Sequence, residues 1–275
     1  MNQPKPAISD HLHISHSQLF TYLNCSLKYK YQYVEGRPAE RLSIALPFGS
    51  SIHKAIEHYY RSVKDGNPIT LDNLERVFTD TLHKTTKNDD IPLLFKKETP
   101  DIPSTINMGK GLLKAFYEGV SLDRYEIVDV ELPLSATLYD YVGNDMDLKL
   151  VGYIDVLLRD TQSNQLIIVD NKTAKQAKSQ AAVDDDLQMT CYSYLLAANR
   201  YVFPRSEVKC RFDVLRKLKT PKMETYHTNR GPEQRKRFSK LATAVLFGIS
   251  SRVFIPCRSW LCADCSYSTR CAKDW

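Results

Sequence analysis

Leu148-Lys-Leu-Val-Gly152-Tyr-Ile-Asp155-Val-Leu-Leu158, a turn at Ser163-Asn164, and then Gln165-Leu-Ile-Ile-Val-Asp170-Asn171-Lys172 form the stretch that decides the fold. Apolar, β-branched runs separated by turn formers predict two strands. Asp155 follows apolar residues on the first strand and Asp170 ends the apolar run of the second, so a hairpin would bring the two carboxylates together. Residues two apart on a strand face the same side, which sends Asp170 and Lys172 into one space. Converging carboxylates repel, and a divalent cation relieves the repulsion. Such a cation can polarise a phosphoryl oxygen and lower the pKa of a bound water. The Lys172 ammonium could then orient that water or steady the charge building on phosphorus. Two exposed acids at strand ends, with a lysine in the next turn, is the plain alternative.

Working outward, 125–134 predicts a further strand. Upstream, Ile14-Ser-His-Ser17 reads as a helix start with Ser15 or Ser17 as cap. A second helix begins at Phe48-Gly49-Ser-Ser-Ile-His53, with Ile52, Ala55, Ile56, Tyr59 and Tyr60 on one face and His53 beside it. Helices are expected over 71–84 and 106–120, joined by a charged connector broken by Pro92, Pro100 and Pro103. Downstream, 184–198 predicts a helix with an acidic first turn, placing Gln188 and Tyr192 at i and i+4 on one face. A strand over 207–216 and a helix over 233–250 follow.

The chain has 275 residues, 43% hydrophobic and 25% charged, which suits one substantial folded core. No apolar run approaches the roughly 18–20 residues that span a bilayer. The start, Met1-Asn-Gln-Pro-Lys-Pro6, lacks the apolar segment of a secretory signal, so a cytoplasmic location is expected. No phosphate-cradling G-x4-G-K-[ST] loop is present, which excludes a nucleotide-driven motor within this chain. The net charge of +6 is uneven: 205–240 holds twelve Lys/Arg against four Asp/Glu. That segment could contact a polyanion or simply form a solvated face. Tyr29, Tyr31 and Tyr33 could likewise stack on bases or pack a helix against the core.

Seven cysteines include an isolated Cys25 and a terminal triplet, Cys262-x2-Cys265-x5-Cys271. In a reducing compartment such crowding points to metal thiolates rather than disulfides. Four thiolates suit zinc or a [4Fe–4S] cluster, and spacing alone does not choose. Cys257 is a fifth candidate, treated as a spare. Cys191 and Cys210 read as small buried apolar residues. The tail after Pro256 is expected to need a bound ion in order to fold.

Taken in order, Ile14-Ser15-x-Ser17-Gln-Leu…Cys25, Gly49-x3-His53, Gly152-x-Ile-Asp155, Val169-Asp170-Asn-Lys172-Thr173, Gln188-x3-Tyr192 and the cysteine triplet resemble the PD-(D/E)XK nucleases of the RecB-like branch. Within it the likeness is to the iron–sulfur nucleases typified by the fourth CRISPR-associated family and by AddB-type nuclease domains. It runs from residue 14 to 271. The resemblance implies an α/β fold with a mixed central sheet flanked by helices, a restriction-endonuclease-like core. One nuclease domain would span 1–275, with a helical insertion at 65–122 and a cluster-binding tail at 256–275 paired with the helix around Cys25.

It further implies His53, Asp155 and Asp170 as ligands to Mg2+ or Mn2+, with Asp155, Asp170 and Lys172 catalytic and Gln188 and Tyr192 as accessory DNA-binding residues. Cys25, Cys262, Cys265 and Cys271 would hold a [4Fe–4S] cluster, with zinc the alternative. The implied activity is a deoxyribonuclease, an exonuclease preferring single strands, that processes DNA ends in CRISPR adaptation, recombination and repair, or phage DNA processing. A helicase or integrase partner and no membrane are expected. A non-catalytic DNA-binding or scaffold subunit is the competing reading. Two positions depart from the family pattern: Asn171 stands where an aromatic residue is usual, and Ser26 where proline often follows the first cysteine. Glu131 lies where relatives often carry a glutamate, and is not assigned as a ligand.

Overall fold

The computed structural model describes residues 13–87 and 91–275; the opening segment read for a signal lies outside the described residues. In chain order the elements are β1 (His13–Ser15), α1 (His16–Asn24), α2 (Ser26–Tyr29) running into a π-helical turn at Lys30–Val34, β2 (Leu42–Ser43), α3 (Ala45–Lys64) and α4 (Leu71–Thr86). Next come β3 (Leu93–Leu94), α5 (Ile102–Gly119), β4 (Tyr125–Tyr139), β5 (Asp145–Asp160), β6 (Leu166–Ala174), α6 (Gln180–Asp184) and α7 (Leu187–Ala198). The chain closes with β7 (Val208–Arg216), β8 (Lys222–Arg230), α8 (Pro232–Ser250), a 3-10 turn at Trp260–Asp264 and α9 (Ser268–Asp274).

A mixed sheet runs in the order β1-β5-β6-β7-β8, with β4 also paired to β5. β4, β5 and β6 are successively antiparallel, β6 and β7 are parallel, and β8 returns antiparallel to β7. The parallel β6–β7 pair needs a crossover, which α6 and α7 supply. Alternate residues of the strands feed two cores. On one face Leu134, Ile154, Ile168 and Phe212 meet Leu195 of α7 and Phe238 of α8. On the other, Val156, Val169 and Leu215 meet Ile52 of α3, Phe78 of α4 and Phe116 of α5. The 65–122 stretch therefore contributes two helices to a layer that shares its apolar core with the sheet. α4 and α5 close tightly because residue 109 is glycine: a Cβ there would lie 2.1 Å from the Phe78 ring.

Several local readings change. The helix foreseen over 184–198 begins instead at Leu187, after the separate short helix α6, because Asp186 leaves helical geometry and accepts from the Gln188 and Met189 amides to cap α7. The segments β1 and β8 were not foreseen. β1 is three residues long, and β8 (Lys-Met-Glu-Thr-Tyr-His-Thr-Asn-Arg) carries no apolar run because it lies at the sheet edge and is mostly solvated. Four arginines of the basic 205–240 segment serve as internal wiring, while Arg205, Lys209, Lys219, Lys222, Lys236, Arg237 and Lys240 stay exposed. Arg211 pairs with Asp213, Arg216 with Glu224, Arg230 donates to the Val183 and Asp186 carbonyls, and Arg235 to those of Pro204 and Ser206; all four are buried. Tyr29 and Tyr31 are buried too, so packing accounts for them. No helix among the described residues is long and apolar enough to cross a membrane.

Candidate active site

The site forms where the sheet opens. One edge of β5 pairs with β1 over Lys149–Val151 and with β6 over 156–159, leaving Gly152 to Asp155 between the two partners. β6 in turn loses β5 beyond Val169, just before Asp170. Gly152 lets α7 settle into this gap, since a Cβ there would lie 2.9 Å from Leu195 Cδ1 and 3.3 Å from Tyr192 Cε1. At the rim, Ser15 caps α1 in a reciprocal box: Gln18 N donates to Ser15 Oγ at 3.3 Å, and Ser15 N to Gln18 Oε1 at 2.8 Å.

Around this gap the structure brings together His53, Asp155, Asp170, Lys172, Gln188 and Tyr192. His53 Nδ1, from α3, lies 3.2 Å from Asp155 Oδ2, which also accepts from the Asn171 amide at 2.9 Å. Lys172 Nζ lies 2.8 Å from Asp170 Oδ2. Gln188 Nε2 reaches Asp170 Oδ1 at 2.9 Å and Tyr192 Oη at 2.8 Å, so the i, i+4 pair acts as one arm on Asp170. Asp170 is fully buried, and its Oδ2 has no donor in hydrogen-bonding geometry despite the nearby ammonium.

The electrostatics follow from burial. Removal from water pushes the Asp170 carboxyl up to about 6, with Asp155 adding to the push and Lys172 opposing it. Burial also acts against charge on Lys172, yet Asp170 and Asp155 outweigh it and hold its pKa above the ordinary lysine value. His53 behaves likewise: burial opposes its charge, and contact with Asp155 raises its pKa overall. Asp155 is lowered, since the His53 contact overcomes its own burial. Each carboxylate thus has its own basic partner, His53 for Asp155 and Lys172 for Asp170. Among the described residues no three His, Cys, Asp or Glu groups are drawn together as one ion's ligands would be. The donor set nevertheless fits a divalent cation: one imidazole nitrogen, one buried and one partly buried carboxylate, and an Asp170 oxygen with spare acceptor capacity.

Three residues emerge that the sequence left unassigned. Glu131 stands in the register between the pairs Val130↔Val156 and Leu132↔Ile154, opposite Asp155, and lines a small cavity with His53, Asp155 and Asn171. Its φ of 54° is the left-handed conformation that a glutamate rarely adopts. His16 is mostly buried near Lys172 and Asp186. Burial lowers its pKa to about 4, with Asp186 opposing and Lys172 assisting, so it is neutral at pH 7. Ser26 exchanges hydrogen bonds with Ile255, accepting from its amide at 2.8 Å and donating to its carbonyl at 3.2 Å, which fastens the tail.

The seven cysteines fall into two groups. Cys191 and Cys210 are buried in the core, their thiols pushed up to about 12 by burial. Cys25, Cys257, Cys262, Cys265 and Cys271 line one cavity of about 280 Å³ walled by Tyr31 and Tyr267. The tail is pinned there by Tyr31 Oη to Asp274 at 2.7 Å, Tyr267 Oη to the Arg37 carbonyl at 3.0 Å, and Arg41 Nε to the Cys265 carbonyl at 3.1 Å.

No curated protein matches the chain. Among solved structures it is similar to a protein from Eubacterium rectale described as a "putative exonuclease", with a TM-score of 0.55 and 10% identity over 93% of this chain and 87% of that one. At that identity the likeness shows the fold alone. A family model of the PD-(D/E)XK nuclease superfamily matches residues 13–272, nearly the whole chain. On that match the chain belongs to the PD-(D/E)XK nuclease superfamily.

Proposed function

We propose that the protein is a divalent-metal-dependent deoxyribonuclease that hydrolyses phosphodiester bonds at strand ends, preferring single strands. The carrying observation is the meeting of His53–Asp155 from one side and the Lys172–Asp170–Gln188–Tyr192 chain from the other at the gap in the sheet. His53, Asp155 and Asp170 would hold Mg2+ or Mn2+, which when bound supplies charge neutralisation at the phosphate and a more acidic water. Lys172, freed from sole responsibility for Asp170, presents its ammonium to the attacking water or a phosphate oxygen. Gln188 fixes Asp170 through one oxygen and leaves the other available, and Tyr192 holds Gln188 in turn. Burial of these groups strengthens each interaction by excluding water.

The single-strand preference is supported by Phe20, half exposed and set 5.7 Å from the His16 ring, an aromatic surface on which an unpaired base could stack. For the tail, the shared cavity of Cys25, Cys262, Cys265 and Cys271 supports a [4Fe–4S] cluster, with Cys257 beside them. Zinc is the alternative occupant. A chain of this kind would serve DNA end processing (CRISPR adaptation, recombination and repair, or phage DNA processing) beside a helicase or integrase that supplies the motor. The test is digestion of 5′- and 3′-labelled single- and double-stranded DNA by anaerobically purified protein. Shortening of single strands is expected with metal and not with EDTA. Because His53 makes the site softer than an all-oxygen cage, Mn2+ is expected to work at least as well as Mg2+. Intact DNA under every metal condition would reject the proposal.

A further inference from the structure

Beyond Val169, β6 has an open edge from Asp170 to Ala174, and α3 lies across from it. Along β6 this edge passes Lys172; along α3 it passes from His53 to Gly49, where a Cβ would meet nothing within 4 Å. It leads to a separate cavity of about 80 Å³ lined by Lys96, Lys175, Lys217, Glu98, Thr99 and Thr105, with Phe48 as a wall. The strand rise from Lys172 to Lys175 puts this cavity about 10 Å from the candidate active site.

Three lysines line this one small cavity. Lys175 is paired with Glu98, and Lys96 with Asp264 of the tail. Lys217 has no carboxylate partner among the described residues. Its backbone is tied to β6 through Lys217 N to the Ala174 carbonyl at 2.8 Å, and its Nζ lies 4.4 Å above the Phe48 ring. Burial, with the Lys96 charge adding, lowers its pKa to about 8 while Glu98 opposes the shift. A half-buried cation that lacks a counter-ion gains more from an arriving anion than a solvated surface lysine does. The room suits one small tetrahedral anion, not a nucleoside. A terminal phosphate monoester carries about −1.5 to −2 charges and three acceptor oxygens, a better match to three lysines than a singly charged internal diester.

We propose that the Lys96–Lys175–Lys217 cavity holds the terminal phosphate of the strand whose phosphodiester lies at Asp155, Asp170 and Lys172. The enzyme would then engage its substrate from a phosphorylated end and release short products. This rests on the nuclease reading above. Glu98, half exposed, stands in for the phosphate when no DNA is bound and is displaced by it.

Fluorescent single-stranded oligonucleotides bearing a 5′-phosphate, a 3′-phosphate or hydroxyls at both ends would be titrated with the full chain in EDTA, so that binding is read without cleavage. One phosphorylated end is expected to bind about tenfold more tightly than the hydroxyl-ended strand. Lys217→Gln should remove that preference while leaving the hydroxyl-ended affinity unchanged, and Glu98→Gln should enlarge it. Lys175→Gln, at an exposed position, provides the same test should Lys217→Gln fail to fold. Equal affinity of the wild type for all three strands, or a preference untouched by the lysine substitutions, would overturn the assignment. Cleavage with Mn2+ is scored separately: cutting without any end preference rejects this cavity's role alone, whereas no cutting under any metal rejects the nuclease reading.

Discussion

Asp170 concentrates the chemistry of this protein in one side chain. It is fully buried; Gln188 and Lys172 both donate to its Oδ1, and the Lys172 ammonium also lies 2.8 Å from its Oδ2. Its raised pKa carries a stability consequence of definite sign. Between 3.8 and about 6 the folded, metal-free protein binds a proton that the unfolded chain has released, so this group's contribution falls as pH rises through that window. Metal binding reverses the cost above it, because the ligand must be ionised. Mn2+ should therefore raise Tm at pH 7.5 and lose most of that increment as pH drops below about 6. Asp170→Asn should abolish the increment at both values, as read by thermal unfolding with and without metal. An Mn2+ increment that does not change between pH 5 and 7.5 would remove Asp170 from the ligand set. The carboxylates and lysine were legible in the sequence because period-two spacing sets them on one face. Glu131 was noted only through the family likeness, and His16 was not legible at all. One is brought in by β4 pairing across from Asp155, the other by a strand-to-helix junction, and neither belongs to a local pattern.

At the level of elements, two glycines make separable predictions. Gly109 lets α5 lie on the Phe78 ring of α4, far from the chemistry, so Gly109→Ala should cost about 1–3 kcal/mol of stability by overpacking. Activity per folded molecule should remain unchanged. Gly152 admits α7 to the gap in the sheet, so Gly152→Ala should push Tyr192 and with it Gln188 away from Asp170. Cleavage should then fall by more than the loss of folded protein explains. Chemical unfolding curves set beside cleavage rates separate the two, and a Gly152→Ala variant with full activity would contradict the positioning argument. Strong local signals carried most of the element reading: the apolar runs of β5 and β6, the amphipathic face of α3, and the serine cap of α1. β8 escaped because an edge strand with a mostly wet face has no apolar alternation to display. The break before α7 escaped because three consecutive aspartates look alike in sequence, although only Asp186 caps a helix.

Across the whole molecule, the tail closes over the N-terminal helices through Cys25, Ser26, Tyr31 and Arg41, and Lys96 joins this assembly to the lysine cavity through Asp264. Cys25→Ser should yield protein that is colourless, poor in iron and poorly soluble, as measured by iron analysis and visible absorbance after anaerobic purification. Stoichiometric zinc in the wild type would replace the cluster with a structural zinc. Net charge was a weaker guide at this scale. The excess of basic residues over 205–240 left a polyanion contact and a solvated face both open; Arg211, Arg216, Arg230 and Arg235 are spent inside the fold while seven other basic residues of the segment stay exposed, a distinction that composition cannot make. The central claim is that Lys172 and the acids around it hydrolyse DNA as one unit. Its most direct test is the Mn2+-dependent cleavage rate of end-labelled single-stranded DNA by wild type and by Lys172→Ala, with matched folding and DNA affinity. A loss of about 10²–10³-fold or more in rate with binding retained is predicted; turnover by Lys172→Ala equal to that of the wild type would contradict the account.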